Sequence, residues 1–310
     1  MAASATWTDL LDPTEAELRD HLPKGVEHSD VQRLLRPVDI EQEIRPTLQG
    51  HGDHVFGAFL VAVAVPAEDR VFYQEIDLIL TRDALLTVRK TTPDEKPFDP
   101  TPVREVCERK GALPPGMIVY HLVDEIADRY LDLLDAVGDE IDELEDHVDV
   151  WSNERTRARI SELRHDLLHI RRTLAPTRDA VRGVVDGRVD VEGKLLFGRE
   201  VFPEHVEREF GDVYDKLLRA TEALELARDL LAAARDYHQS KISIDQNDVV
   251  RKLTVIASLL LVPTFVVGVY GQNFEHMPEL GWRFGYVFSW AVIVASTLAQ
   301  LAFFRWRRWI

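Results

Sequence analysis

The sequence predicts an α+β fold in three parts: a cytoplasmic α/β domain over 1–112, long coiled-coil-like stalk helices over 113–250, and a C-terminal two-helix transmembrane hairpin with a short basic tail over 251–310. Three observations carry this prediction. Segments rich in Val, Ile, Leu, Phe and Tyr, bounded by turn residues, are confined to the stretch before Lys90. Apolar residues then recur at helical spacing over long distances. Near the C-terminus, Leu253 to Tyr270 and Phe284 to Phe304 contain no charged residue, and each run approaches the roughly 20 apolar residues that cross a bilayer.

In chain order, Pro13 to His21 and Ser29 to Leu35 read as short helices, each beginning at a capping residue or an N-terminal proline. A three-stranded meander follows. Its strands are His54 to Val65, Val71 to Thr81 and Ala84 to Lys90, separated by the turn residues of 66–69 and by Arg82 and Asp83. The proline-rich stretch Pro93 to Pro102, with Pro114 and Pro115, marks the exit into helices. Val119, Val123, Ile126, Tyr130, Leu133, Val137, Ile141, Leu144 and Val148 lie three and four residues apart among Asp, Glu and Arg, which predicts one long amphipathic helix. A second helix spans about Asn153 to Val185, bent at Pro176. The third keeps a heptad from Val206 through Phe210, Val213, Leu217, Ala220, Leu224, Ala227 and Leu231 to Ala234. No proline interrupts it between Pro203 and Pro263, so it can enter the first membrane run unbroken.

The 310 residues have room for about two soluble modules plus the hairpin. A formal net charge of -17 excludes nucleic-acid binding, which needs clustered cations, and points toward cations as partners. With Cys107 as the single cysteine there is no intramolecular disulfide, as expected in a reducing compartment. Met1 to Leu11 lacks the basic start and apolar core of a signal peptide. Arg251 and Lys252 precede the first span and Arg305, Arg307 and Arg308 follow the second, so the excess of cations places both termini in the cytoplasm. The loop from Gly271 to Arg283 is then extracytoplasmic, in a multi-pass protein of the plasma or inner membrane.

That loop carries the most specific signal. The run Tyr270-Gly-Gln-Asn-Phe-Glu-His-Met-Pro-Glu-Leu280 resembles the signature of the CorA family of divalent-cation (Mg2+/Co2+) channels, Tyr-Gly-Met-Asn-Phe followed by Met-Pro-Glu-Leu. The resemblance extends over both spans, the basic tail and, more loosely, the helical region from about Phe98. Gln272 departs from it, standing where the family's best-known members carry Met. The resemblance implies a homopentamer, with self and membrane lipid as partners. Phe210-Gly-Asp212-Val-Tyr-Asp215 is similar to the segment in which the family places an intracellular Mg2+-sensing aspartate, with Asp212 at the matching position. Its implied partner from a neighbouring subunit is Asp39. A charged helix face is the plain alternative for any Asp in so acidic a chain.

Each remaining motif has two readings. Asn247, Val250, Leu253 or Thr254, Ala257, Leu261, Thr264, Gly268 and Gly271 fall on one helical stripe that turns small and hydroxylated, which suits a pore lining. Small residues equally permit close helix packing, and the adjoining signature tips the balance toward the pore. Asn273, repeated around a symmetry axis, would present amide oxygens to the water shell of an ion that dehydrates reluctantly, as Mg2+ does; alternatively it caps a turn. Glu275 and Glu279 would raise the local cation concentration as rings or remain solvated loop charges. Gln272 is expected to point back from the axis, because adjacent turn residues seldom point the same way. His165 and His169 share a helix face, but the metalloprotease motif needs Glu where Asp166 stands and a third ligand. No phosphate loop, dinucleotide turn or nucleophile elbow occurs, so the expectation is a non-enzyme without organic cofactor.

Together these readings predict a homo-oligomeric channel for Mg2+ and related divalent cations, with Mg2+ both transported and regulatory. Two other functions stay open: a transporter of the same fold for Zn2+ or another transition metal, and a membrane-anchored coiled-coil scaffold.

Overall fold

The computed structural model describes residues 6–23, 26, 28–37, 44–65, 70–91, 96–191, 200–272 and 277–309. They form two compact units, Met1–Ala234 and Arg235–Ile310.

In the first unit the meander forms as the β-rich segments dictate. Strands β3 (His54–Val65), β4 (Arg70–Leu80) and β5 (Ala84–Arg89) pair antiparallel in sequence order. Two strands that the sequence did not reveal complete the sheet: β1 (Thr6–Leu11) lies parallel to β5 at one edge, and β2 (Thr47–His51) pairs antiparallel with β3 at the other. The two sheet faces are covered by different helices. Helices α1 (Glu15–His21) and α2 (His28–Leu35) cover one of them, burying Leu18, Val31 and Leu34 against Phe56, Ala58, Ile79, Leu86 and Val88. Thr14 opens α1 with a capping box, its hydroxyl accepting from the Glu17 amide while the Glu17 carboxylate reaches back to the Thr14 amide. Helices α3 (Thr101–Lys110), α4 (Pro115–His147), α5 (Asn153–Val185) and α6 (Glu204–Tyr270) contribute to the larger core on the other face. Every apolar residue of the two predicted stripes, from Val119 to Val148 and from Val206 to Ala234, is buried. Tyr130 ties α4 to the sheet by donating its buried hydroxyl to the Leu60 carbonyl at 3.1 Å. Helix α5 continues through Pro176.

Alternation along β4 sends Ile76, Leu78 and Leu80 to the larger core and leaves Glu75 and Asp77 buried on the other side. Lys90 answers both: its ammonium contacts Glu75, lies 2.6 Å from Asp77, and donates to the Arg33 carbonyl at 3.1 Å. Two buried carboxylates facing one ammonium leave an excess negative charge, so one of them retains a proton. Burial, opposed by Lys90 and reinforced by the charge of Glu75, pushes Asp77 up to about 7. The unfolded chain releases this proton near pH 4, so between about pH 4 and 7 the folded state binds the extra proton and stability falls as pH rises. Asp77→Asn is therefore expected to gain stability relative to the parent between pH 5 and 8, on the order of a few kcal/mol for a shift of this size. Fluorescence melting at both pH values measures it, and parallel pH profiles for parent and variant would refute the assignment.

Candidate pore and ion-binding residues

The second unit holds the C-terminal part of α6, a 3-10 turn at Pro278–Gly281 and α7 (Gly285–Trp306). Both α6 and α7 contain runs long and apolar enough to cross a membrane. Those runs are almost entirely exposed in the single chain, so their apolar surface requires lipid or other protein around it. Val250, Leu253, Ile256, Leu260, Leu261, Phe265 and Val267 of α6 and Tyr286, Val287, Trp290, Val294 and Leu298 of α7 are all exposed. Helix α6 runs without interruption for 67 residues, Pro263 included. A proline inside a spanning helix is tolerated because neighbouring hydroxyls and helices re-satisfy the freed backbone. Apart from the Leu259 carbonyl that Pro263 leaves free, Thr264 and Thr254 donate their hydroxyls to carbonyls one turn back, Leu260 at 2.7 Å and Val250 at 2.8 Å. Trp282, Tyr286, Trp306 and Trp309 gather at the ends of α7, where amphipathic rings suit a membrane interface.

The predicted lining stripe lies on one continuous helix: Asn247, Val250, Leu253, Thr254, Ala257, Leu261, Thr264 and Gly268 are all exposed on α6. Gly271 and Gln272 follow in the turn that ends it, with the Gly271 amide donating to Val267 at 2.8 Å and the Gln272 amide to Val269 at 3.3 Å. Both residues are exposed. Asn273, Glu275, the side chain of Glu279 and Asp39 lie outside the described residues.

Asp212 is exposed on α6 between Phe210 and Val213, both fully buried. Those neighbours fix the helix rotation and turn the carboxylate outward. Among the described residues it forms no ion pair, whereas Lys216, one turn on, binds Asp124 at 2.6 Å and Asp128 at 2.8 Å. Burial weakens the Lys216 charge, but these two carboxylates outweigh it and raise the ammonium above its ordinary value. The surrounding acidity is felt at Tyr120, whose hydroxyl is raised by burial and then by Asp124, Glu209 and Asp212. His165 and His169 lie with ring centroids 4.3 Å apart on α5, tilted 59° to one another, and among the described residues no third ligand joins them. Sequence reasoning passed over a different cluster, Asp30 with His51 and His54. Its only trace in the sequence is a pair of histidines flanking a two-residue Gly52-Asp53 turn.

A family model described as CorA-like Mg2+ transporter protein matches residues 2–308. The cobalt/magnesium transport protein CorA of Thermotoga maritima is 31% identical, over 92% of this chain and 82% of its own length. The protein of the same name from Methanocaldococcus jannaschii is 26% identical, over 98% of this chain and 91% of its own. Among solved structures, the complete CorA magnesium transporter of Methanocaldococcus jannaschii shares the fold with a TM-score of 0.80 at 22% identity, covering 99% of this chain and 92% of that one. The loop signature, the two exposed apolar helices and a family match over nearly the whole length agree, and the chain belongs to the CorA-like Mg2+ transporter protein family.

Proposed function

We propose that the chain is one subunit of a homo-oligomeric channel, a pentamer, that passes Mg2+ and related divalent cations into the cell. The observation that supports this most is the exposed stripe from Asn247 to Gly268 on a helix able to span a membrane, in a chain of this family. Two spans cannot enclose a pore, so an axial path needs several copies. The first span would line it, Gly271, Gln272 and Asn273 would form its outer mouth, and the second span would face lipid. Basic residues on both flanks support cytoplasmic termini in a plasma or inner membrane. Entry is then downhill: a dication crossing about 100 mV, inside negative, gains about 4.6 kcal/mol, twice the single-charge value.

In this reading, residues 1–112 and 113–250 act as sensor and stalk. Cytoplasmic Mg2+ bound between Asp212 and Asp39 of a neighbouring subunit stabilises the closed state, and its loss frees mutually repelling carboxylates. Reconstituted liposomes loaded with an ion indicator test the function. Uptake of Mg2+ and Co2+ driven by an inside-negative potential alone is the expected result. Uptake of Zn2+ that needs a proton gradient would favour the transition-metal transporter, and an absence of flux for every ion would leave a scaffold.

A further inference from the structure

On the far side of the sheet from the stalk helices, the β2–β3 hairpin closes through Gly52, whose φ of 58° is one that glycine adopts without strain. This tight turn makes His51 and His54 the last cross-strand pair, and directly opposed side chains on one face stand about 5 Å apart at Cβ. Helix α2 lays Asp30 across them. His51 Nδ1 is 2.8 Å and His54 Nε2 is 2.9 Å from the same oxygen, Asp30 Oδ2. Asp30 and His54 are fully buried, while the His51 side chain keeps 24% of its exposure and opens the cluster to solvent. The second carboxylate oxygen, Asp30 Oδ1, is buried without a hydrogen bond, as is His54 Nδ1. The exposed Arg33 lies at the edge of ion-pair range, its Nη1 3.9 Å from Oδ1.

We propose that Asp30, His51 and His54 form a transition-metal site in the soluble unit, for a dication of the Zn2+ or Co2+ class. All three donor atoms lie within 4.8 Å of one another, each on a different position of a helix or hairpin packed into a core. Two imidazoles and one carboxylate make a donor set that favours Zn2+ and Co2+; Mg2+ prefers all-oxygen ligands. Bonds of about 2.0–2.1 Å at tetrahedral angles separate ligands by about 3.3 Å. The two Asp30–His contacts, now 2.8 and 2.9 Å, therefore need to lengthen by only about half an ångström as the ion replaces the shared protons. The exposed edge of His51 provides the entry path and room for water as a fourth ligand. Binding in competition with protons makes affinity rise with pH. This site is separate from the pore and from Asp212, so it stands whether or not the channel reading does.

The test uses the full-length protein in detergent, with excess Mg2+ to fill oxygen sites, titrated with Co2+ while visible absorption is followed. A site with nitrogen ligands and low coordination number gives intense bands that octahedral oxygen sites lack. The expected result is one equivalent of such Co2+ per chain, displaced by Zn2+, with the bands lost in His51→Asn and affinity weakened at least about tenfold in Asp30→Asn. His51 is the least buried of the three, with 24% of its side chain exposed, so its variant is expected to fold even if changes at the buried Asp30 or His54 do not. Absence of the bands in the parent protein, or identical bands in His51→Asn, would overturn the assignment.

Discussion

Asn273→Ala is expected to reduce divalent-cation uptake to background while leaving the assembly intact. Asn273 follows directly on the turn that ends α6, where the helix gives way at Gly271 and Gln272. In the proposed channel, a ring of amide oxygens there would accept hydrogen bonds from the water shell of the ion, which would then keep a shell it holds tightly. Alanine offers no acceptor, and each ion would have to pay that dehydration without compensation. The apolar spans are untouched by the change, so oligomer size measured by light scattering should not move. Gln272→Met is the control. If its side chain points back from the axis, the variant keeps uptake and the order of preference among Mg2+, Co2+ and Zn2+. Parent-level flux in Asn273→Ala would remove Asn273 from the filter, and a switch of preferred ion in Gln272→Met would add Gln272 to it.

The parts of the fold legible in the sequence are those where one local pattern decides. Heptad positions from Val206 to Ala234 and the stripe from Val119 to Val148 are buried as their spacing requires, because an amphipathic helix has one face to hide. The meander is legible because its strands are long, β-branched and joined by obvious turns. The strands β1 and β2 were missed for a shared reason. Thr6–Leu11 carries polar residues and pairs with β5 across most of the sheet's sequence, and Thr47–His51 is short, with Gly50 in it. At sheet edges, tertiary pairing decides what propensity does not.

The candidate sites divide in the same way. That the residues from Asn247 to Gly268 share one exposed helix stripe is a single-helix property and can be read from spacing, as can the outward direction of Asp212 between two buried apolar neighbours; that the stripe lines a pore came from the adjoining loop signature. The Asp30, His51 and His54 cluster depends on α2 crossing the β2–β3 hairpin, a contact between distant segments that no periodicity encodes. The buried Glu75, Asp77 and Lys90 group was hidden likewise, since charges within a strand ordinarily signal a solvated face.

Removing the carboxylate at Asp212 is expected to weaken closure by intracellular Mg2+ without unfolding the stalk. Its side chain is exposed and forms no ion pair among the described residues, so Asp212→Asn should change stability by no more than about 0.5 kcal/mol, the usual range for surface substitutions. Any larger functional change must come from a lost ligand. The packing supports this separation, because Phe210 and Val213 hold the helix in place and Lys216 is already committed to Asp124 and Asp128. If Mg2+ binds the closed state more tightly through this group, the coupling has the size typical of regulatory sites, about 1–3 kcal/mol. The concentration of Mg2+ that half-inhibits flux should then rise about fivefold or more. Protection of the stalk from protease by Mg2+ should weaken in parallel, since both report the same closed population. If flux inhibition and protease protection both keep the parent's Mg2+ dependence, Asp212 is a solvated charge on a helix face, and the sensor must be sought among other acidic residues.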